Sequence, residues 1–292
     1  MAQIRDVGSV APGPPPARWG LVAGATGCIG SAVADALAAA GWNLVVHSGR
    51  RPAAAAEIAR KLVEQYRVQV LPVHADITDA AELDRLRESL GEAGIGSLAA
   101  LVNCATAFSG DLMPASRLEH AEFRRVLDVD LVGPYLLVRE LLPLLVASGA
   151  SRIVLLTTRV APHGGAGAVH LSAAKAGVHG LVSALAEELD EYGVRMHALA
   201  PGPVFAPDRR PAGLPPGIPA GNREEVARVV VELVSAEDGD PVSNAYGAGN
   251  HGDATRHGDG TRHGDATRHG DATRHGGATG HEPAPDRTGG MR

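Results

Sequence analysis

A single domain built on a doubly wound parallel sheet, with helices on both faces in three α/β/α layers, is the fold class this sequence predicts. Three observations predict it. From Arg18 to about residue 235, short apolar strands alternate with segments of helical periodicity, as in a parallel sheet covered on both sides. The first such unit, residues 20–40, runs from an apolar strand through glycines into an alanine-rich helix. The composition, 45% hydrophobic and 21% charged over 292 residues, is that of a globular chain able to bury a sizeable core.

Taken in order, residues 1–18, including Gly13-Pro14-Pro15-Pro16, read as a flexible leader without the apolar centre of a signal peptide. Leu21, Val22 and Ala23 make the first strand, and Gly24, Gly27 and Gly30 make a tight turn. Ile29, Val33 and Leu37 then recur at helical spacing. Trp42–His47 is the second strand, and Pro52–Tyr66 is a helix with Ile58, Leu62 and Tyr66 on one side. Val68–Val73 is the third strand; the helix after it carries Leu83, Leu86 and Leu90. Leu98–Asn103 is the fourth. A helical stretch from about Arg117 to Ala147 is expected to bend near Gly133-Pro134, because proline breaks the backbone ladder. Arg152–Thr157 is the fifth strand, and a helix over 171–190 buries Val178, Leu181, Val182, Leu185 and Leu189. Arg195–Ala200 is the sixth strand, a Pro/Gly-rich loop covers 201–221, and a last helix spans about 223–235. The domain is expected over 19–240.

A net charge of −6 gives no reason to expect nucleic acid or an anionic membrane as partner, and no apolar run is long enough to cross a bilayer. Cytoplasm is the expected location. Two cysteines, Cys28 and Cys104, are too few for a disulfide framework. They read as two small buried residues; the sharper alternative is an oxidation switch. Lysine occurs only at Lys61 and Lys175. From His251 the chain repeats His-Gly-Asp-Ala-Thr-Arg. That repeat has no aliphatic residues to fill a solenoid, so 241–292 is expected to be a disordered tail. Six extended residues span roughly 20 Å, which keeps successive imidazoles apart, and no metal site is expected.

A strand that turns through glycines into a helix offers bare backbone N–H groups and the positive end of the helix dipole. That suits a pyrophosphate and points to a dinucleotide. Four motifs in order carry a more specific signal: Gly24-Ala25-Thr26-Gly27-Cys28-Ile29-Gly30, Ala75-Asp76-Ile77, Leu101-Val102-Asn103-Cys104-Ala105-Thr106, and Pro201-Gly202. With these the chain resembles the short-chain dehydrogenase/reductase family, a Rossmann fold, over about residues 19–237. The glycine spacing is that of the family's extended branch. The resemblance implies that Gly24, Thr26, Gly27, Ile29 and Gly30 cradle the cofactor, that Asp76 and Ile77 meet the adenine, that Asn103 and Ala105 line the site, and that Pro201 and Gly202 flank the nicotinamide. The Asn-Asn-Ala-Gly segment of the family has lost its second Asn and its Gly.

An acid at the end of the second strand would hold the ribose hydroxyl of NAD; arginine suits the phosphate of NADP. This strand runs into His47-Ser48-Gly49-Arg50-Arg51, with no acid before Glu57. Arg50 or Arg51 therefore favours NADP(H), with NAD the lesser choice; the plain alternative is two solvated arginines.

The catalytic positions depart from the family. A Tyr four residues before a Lys lies on one helix face with it, so that the cation lowers the phenol's pKa and holds the ribose. Lys175 is present, but four residues before it stands Leu171. The Ser position is Thr158, which keeps a hydroxyl, and the Asn position is Asp130, able to accept from a water or from Lys175. His170 adjoins the lost acid and has a suitable pKa, yet five residues from Lys175 it points to a different side of a regular helix. It reads as surrogate acid or as a helix-start histidine facing solvent or substrate; His163 is a weaker candidate. The resemblance implies an NADP(H)-dependent oxidoreductase of a carbonyl/alcohol pair, with an activated quinone or enone easing the missing acid. The alternatives are a catalytically silent cofactor-binding protein and a cofactor-independent cyclase or dehydratase. Loops 103–114 and 201–221 would shape the small-molecule pocket. A homo-oligomer through 117–147 is in keeping with the family.

Overall fold

A computed structural model describes residues 18–159, 161, 164–205 and 221–236. The leader up to residue 17, His163, loop residues 206–220 and the repeat tail lie outside the described residues.

Among the described residues, six parallel strands form one sheet: β1 (Trp19–Ala23), β2 (Asn43–Ser48), β3 (Val70–His74), β4 (Ala100–Asn103), β5 (Ser151–Leu156) and β6 (Val194–Leu199). Their order is β3-β2-β1-β4-β5-β6, so β1 pairs with both β2 and β4 (Leu21 opposite Val45 and Leu101). Strand order reverses between β1 and β4, and an open α/β sheet of this kind opens a crevice at its carboxyl edge there.

The strands read as continuous apolar runs because both faces are covered. Alternate residues point to opposite sides. Leu21, Val45, Leu101, Ile153 and Leu155 pack on α3 (Ala80–Glu92), α5 (Gly133–Ala147) and α6 (Val169–Leu189), where Leu83, Leu86 and Leu90 are buried. Val22, Leu44, Val46, Val102 and Val154 pack on α1 (Cys28–Ala39), α2 (Pro52–Tyr66) and α7 (Arg223–Ser235). Asp79 caps α3 by accepting from the amides of Ala81 and Glu82, and Asn222 caps α7 by accepting from those of Glu224 and Glu225.

All the expected elements are present, with strand ends shifted by one or two residues. Two differences bear on the site. The 117–147 stretch is not one bent helix: α4 (His120–Leu127) passes into a π-helical turn over Asp128–Val132 before α5 begins. The Gly133 amide donates to the Asp128 carbonyl, five residues back. Pro134 lacks the N–H that the Asp130 carbonyl would accept in an α-helix, so the break starts ahead of the proline. The second difference is that α6 starts at Val169 rather than 171.

Candidate active site at the carboxyl edge of the sheet

The glycine loop follows β1. Gly24 has φ +72°, and a Cβ there would lie 2.7 Å from the backbone of Ala105 in the loop after β4. A Cβ on Gly30 would lie 2.2 Å from the Gly24 carbonyl oxygen. Neither position can take a side chain without moving backbone. The Gly27 amide donates to the Gly24 carbonyl (2.9 Å), closing the turn, and extended Gly27 leads into α1 without a side-chain cap. The first helical bond runs from the Ser31 amide to the Gly27 carbonyl (3.0 Å), so the amides of Cys28, Ile29 and Gly30 precede the hydrogen-bonded ladder. The first turn carries no acid.

Beside the loop, the Arg51 guanidinium donates to the Thr26 carbonyl, and the Arg51 amide donates to Ser48 Oγ (2.8 Å). Arg50 is exposed next to it. Asp76, exposed after β3, uses Oδ1 to accept from the amide and hydroxyl of Thr78 (2.9 and 2.8 Å), while Ile77 is buried beneath Gly133. Asn103 is buried; its Oδ1 accepts from the Ala105 amide (3.3 Å), and its Nδ2 has no partner among the described residues. A cradle that a Cβ would fill, a row of uncapped amides and an orphaned buried donor together fit a dinucleotide.

At the other end of the crevice, Lys175 is 5% exposed. Its Nζ donates to the Leu156 carbonyl (3.0 Å) and lies 3.1 Å from Asp130 Oδ1. Asp130 is fully buried at the π turn and also accepts from the Thr106 hydroxyl (2.6 Å) and the Ala107 amide (2.7 Å). A buried carboxylate with a cation and two further donors is fully compensated. Thr158 is half-buried just beyond β5. The neighbouring Thr157 spends its hydroxyl on the Lys175 carbonyl and His179 (both 3.2 Å). Pro201 accepts from the Arg159 amide (3.3 Å), and Gly202 follows it with no atom of the described residues within 4 Å of where a Cβ would stand. Leu171, half-buried, stands one turn before Lys175.

Of the alternatives open for His170, the solvent-facing one does not hold, because the side chain is buried. With α6 starting at Val169 it lies in the first turn, 3% exposed, its ring edge-on to Phe108 (centroids 5.3 Å apart). It faces Glu122 and Arg125 of α4 as well as Asp130, and burial holds it below the usual histidine range. Cys28 and Cys104 are both free and half-buried; burial of the Cys104 thiol pushes it up to about 12, which keeps it protonated and unreactive near neutral pH. Among the described residues, no group of His, Cys, Asp or Glu is arranged for a metal, and no helix is long and apolar enough to cross a membrane.

Two site residues escape a reading of the sequence. Thr106 replaces the family's Gly and signals itself only by that departure. His47 is a polar residue in an otherwise apolar strand, which is a detectable oddity.

The family described as short chain dehydrogenase matches residues 18–212. An uncharacterised oxidoreductase of Bacillus subtilis (strain 168) is 31% identical over 188 residues, covering 64% of this chain and 75% of that protein. A 3-oxoacyl-[acyl-carrier-protein] reductase of Synechocystis is 32% identical over 186 residues, 64% of this chain and 74% of its own. Among solved structures, an alcohol dehydrogenase from Thermococcus sibiricus complexed with 5-hydroxy-NADP shares the fold with a TM-score of 0.65 at 24% identity, over 75% of this chain and 91% of that one.

Proposed function

The chain belongs to the short-chain dehydrogenase family, and we propose that it is an NADP(H)-dependent oxidoreductase acting on the carbonyl/alcohol pair of a small molecule. The observation that carries this reading is the charge beside the glycine loop: Arg51 reaches the Thr26 carbonyl, Arg50 is exposed next to it, and no acid stands at the end of β2. A 2′-phosphate would find its countercharge there.

The pyrophosphate would rest on the amides ahead of α1, the adenine beside Asp76 and Ile77, and the nicotinamide end between Asn103, Ala105, Pro201 and Gly202. When bound, the dinucleotide supplies or accepts a hydride. Lys175 has three donor hydrogens; one goes to the Leu156 carbonyl, the charge is paired with Asp130, and donor capacity remains for the ribose. Thr158 would polarise the substrate oxygen. Leu171 holds no proton, and general acid help of about 10²–10⁴ in rate is missing at that position. A quinone or conjugated enone suits such a site, because its reduced oxygen is a stabilised phenolate or enolate.

A second reading, a cofactor-binding protein without turnover, draws support from the same Leu171 and from the closure of Lys175 onto Asp130. A homo-oligomer through 117–147 belongs to the proposal; Val132 and Tyr135 expose apolar surface there. A calorimetric titration of the full chain tests the cofactor. NADPH should bind about tenfold or more tightly than NADH. Absence of binding by either overturns the oxidoreductase reading. Binding without NADPH oxidation by quinones or ketones selects the silent protein, and product formed without cofactor consumption points to a cyclase or dehydratase.

A further inference from the structure

Strand β2 carries Leu44, Val45 and Val46 and then His47, which is 1% exposed. An imidazole so placed has to find partners for both nitrogens. Nδ1 lies 3.3 Å from the Gly24 amide and Nε2 lies 2.9 Å from the Ala75 carbonyl. An amide only donates and a carbonyl only accepts, so the ring is the neutral Nε2–H tautomer. The backbone carbonyl of the same residue accepts from the Ala25 amide (3.0 Å). Both residues that open the glycine loop therefore hang on His47. The ring's other end grips Ala75, next to Asp76.

We propose that His47 is a positioning residue of the dinucleotide site, tying the glycine loop to the end of β3 so that phosphates and adenine are received at a fixed separation. This rests on the cofactor reading above. A protonated ring would aim a second donor at the Gly24 amide, and neither could accept; the loop would have to move. Burial favours the neutral ring, against a smaller opposing pull from the Ala75 carbonyl. The ionisable groups facing it are His74 and Asp76 at the end of β3, and Gly24-Ala25-Thr26-Gly27 contributes none. NADPH affinity is therefore expected to hold through neutral pH and to weaken only as pH falls below the usual histidine range, where the folded ring takes up its proton.

The test combines nitrogen NMR of the imidazoles in the ligand-free full chain with calorimetric NADPH titrations of wild type, His47→Asn and His47→Gln at neutral and acid pH. Wild-type His47 should show a bare Nδ1 and a protonated Nε2. His47→Asn, whose oxygen can stand where Nδ1 stood, should bind NADPH within about threefold of wild type and lose the acid weakening. His47→Gln reaches Ala75 but gives Gly24 no acceptor, and should bind about tenfold more weakly. A merely structural role would lower the Tm of both variants and leave their Kd values equal. An Nδ1–H tautomer, or two variants that bind like wild type, would overturn the proposal. If neither variant folds, the wild-type tautomer decides. Wild type that binds no NADPH would sink the cofactor reading, while the tautomer would still report whether His47 holds Gly24.

Discussion

The half of the sheet made by β1, β2 and β3 and the half made by β4, β5 and β6 carry the two ends of the same crevice in different ways. In the first half the cradle itself is backbone: the φ of Gly24, the missing Cβ of Gly30, the uncapped amides ahead of α1, with the side chains of Arg51 and His47 bracing it. In the second the site is side chain: Asp130, Lys175, Thr158 and, where a proton donor would stand, Leu171. The difference teaches which part of a site can be rewritten. A backbone cradle is fixed by sterics, so changing it breaks the loop. A side-chain set can be exchanged inside an unchanged fold, provided every buried charge keeps a partner, as Asp130 and Lys175 do.

The largest effect should come from restoring the missing acid. Leu171→Tyr is expected to raise NADPH-dependent reduction of unactivated ketones by about 10²–10⁴. Steady-state kinetics would check this, and no gain would mean that the Asp130–Lys175 pair has closed the second half to the family's chemistry. Next is Asp130→Ala, which strands Lys175 as an unpaired buried cation and should cost roughly 3–5 kcal/mol in denaturant unfolding, with NADPH binding by the folded protein little changed. A loss under 1 kcal/mol (roughly the worth of an exposed pair) would show that the pair is solvated rather than buried. Arg51→Ala should shrink the preference for NADPH over NADH by about tenfold without altering NADH affinity; an unchanged ratio would return the arginines to ordinary surface residues.

The smallest effect is in pH. His47 in the first half and His170 in the second are both held below the usual histidine range by burial. The unfolded chain therefore takes up protons first as pH falls through about 6.5. Stability should be flat above that value and decline below it, by at most about 1.4 kcal/mol per pH unit for each histidine, until the folded rings titrate too. Thermal melts of His47→Asn and His170→Phe across that window would apportion the decline between the halves, and melts independent of pH would contradict both burials.

The alternating apolar runs and helical repeats determined the doubly wound sheet, because burial on two faces writes itself into local periodicity. Glycine spacing determined the turn between β1 and α1, because a position that cannot hold a Cβ leaves a glycine in the sequence. The spans read for the helices Pro52–Tyr66 and about 223–235 match the structure, where Pro52 stands at the start of the first and Asn222 caps the second. Only the tertiary structure decided the rest. The break ahead of α5 depends on how Asp128–Val132 seats Asp130 against Thr106, Ala107 and Lys175, contacts 23 to 45 residues apart in the chain. His170 turned inward because Phe108 and α4 wait there, and His47 gained its role because Gly24 and Ala75 meet across β2. A side chain's neighbours along the chain are written in the sequence; the partners that settle a proton's place are brought together only by folding.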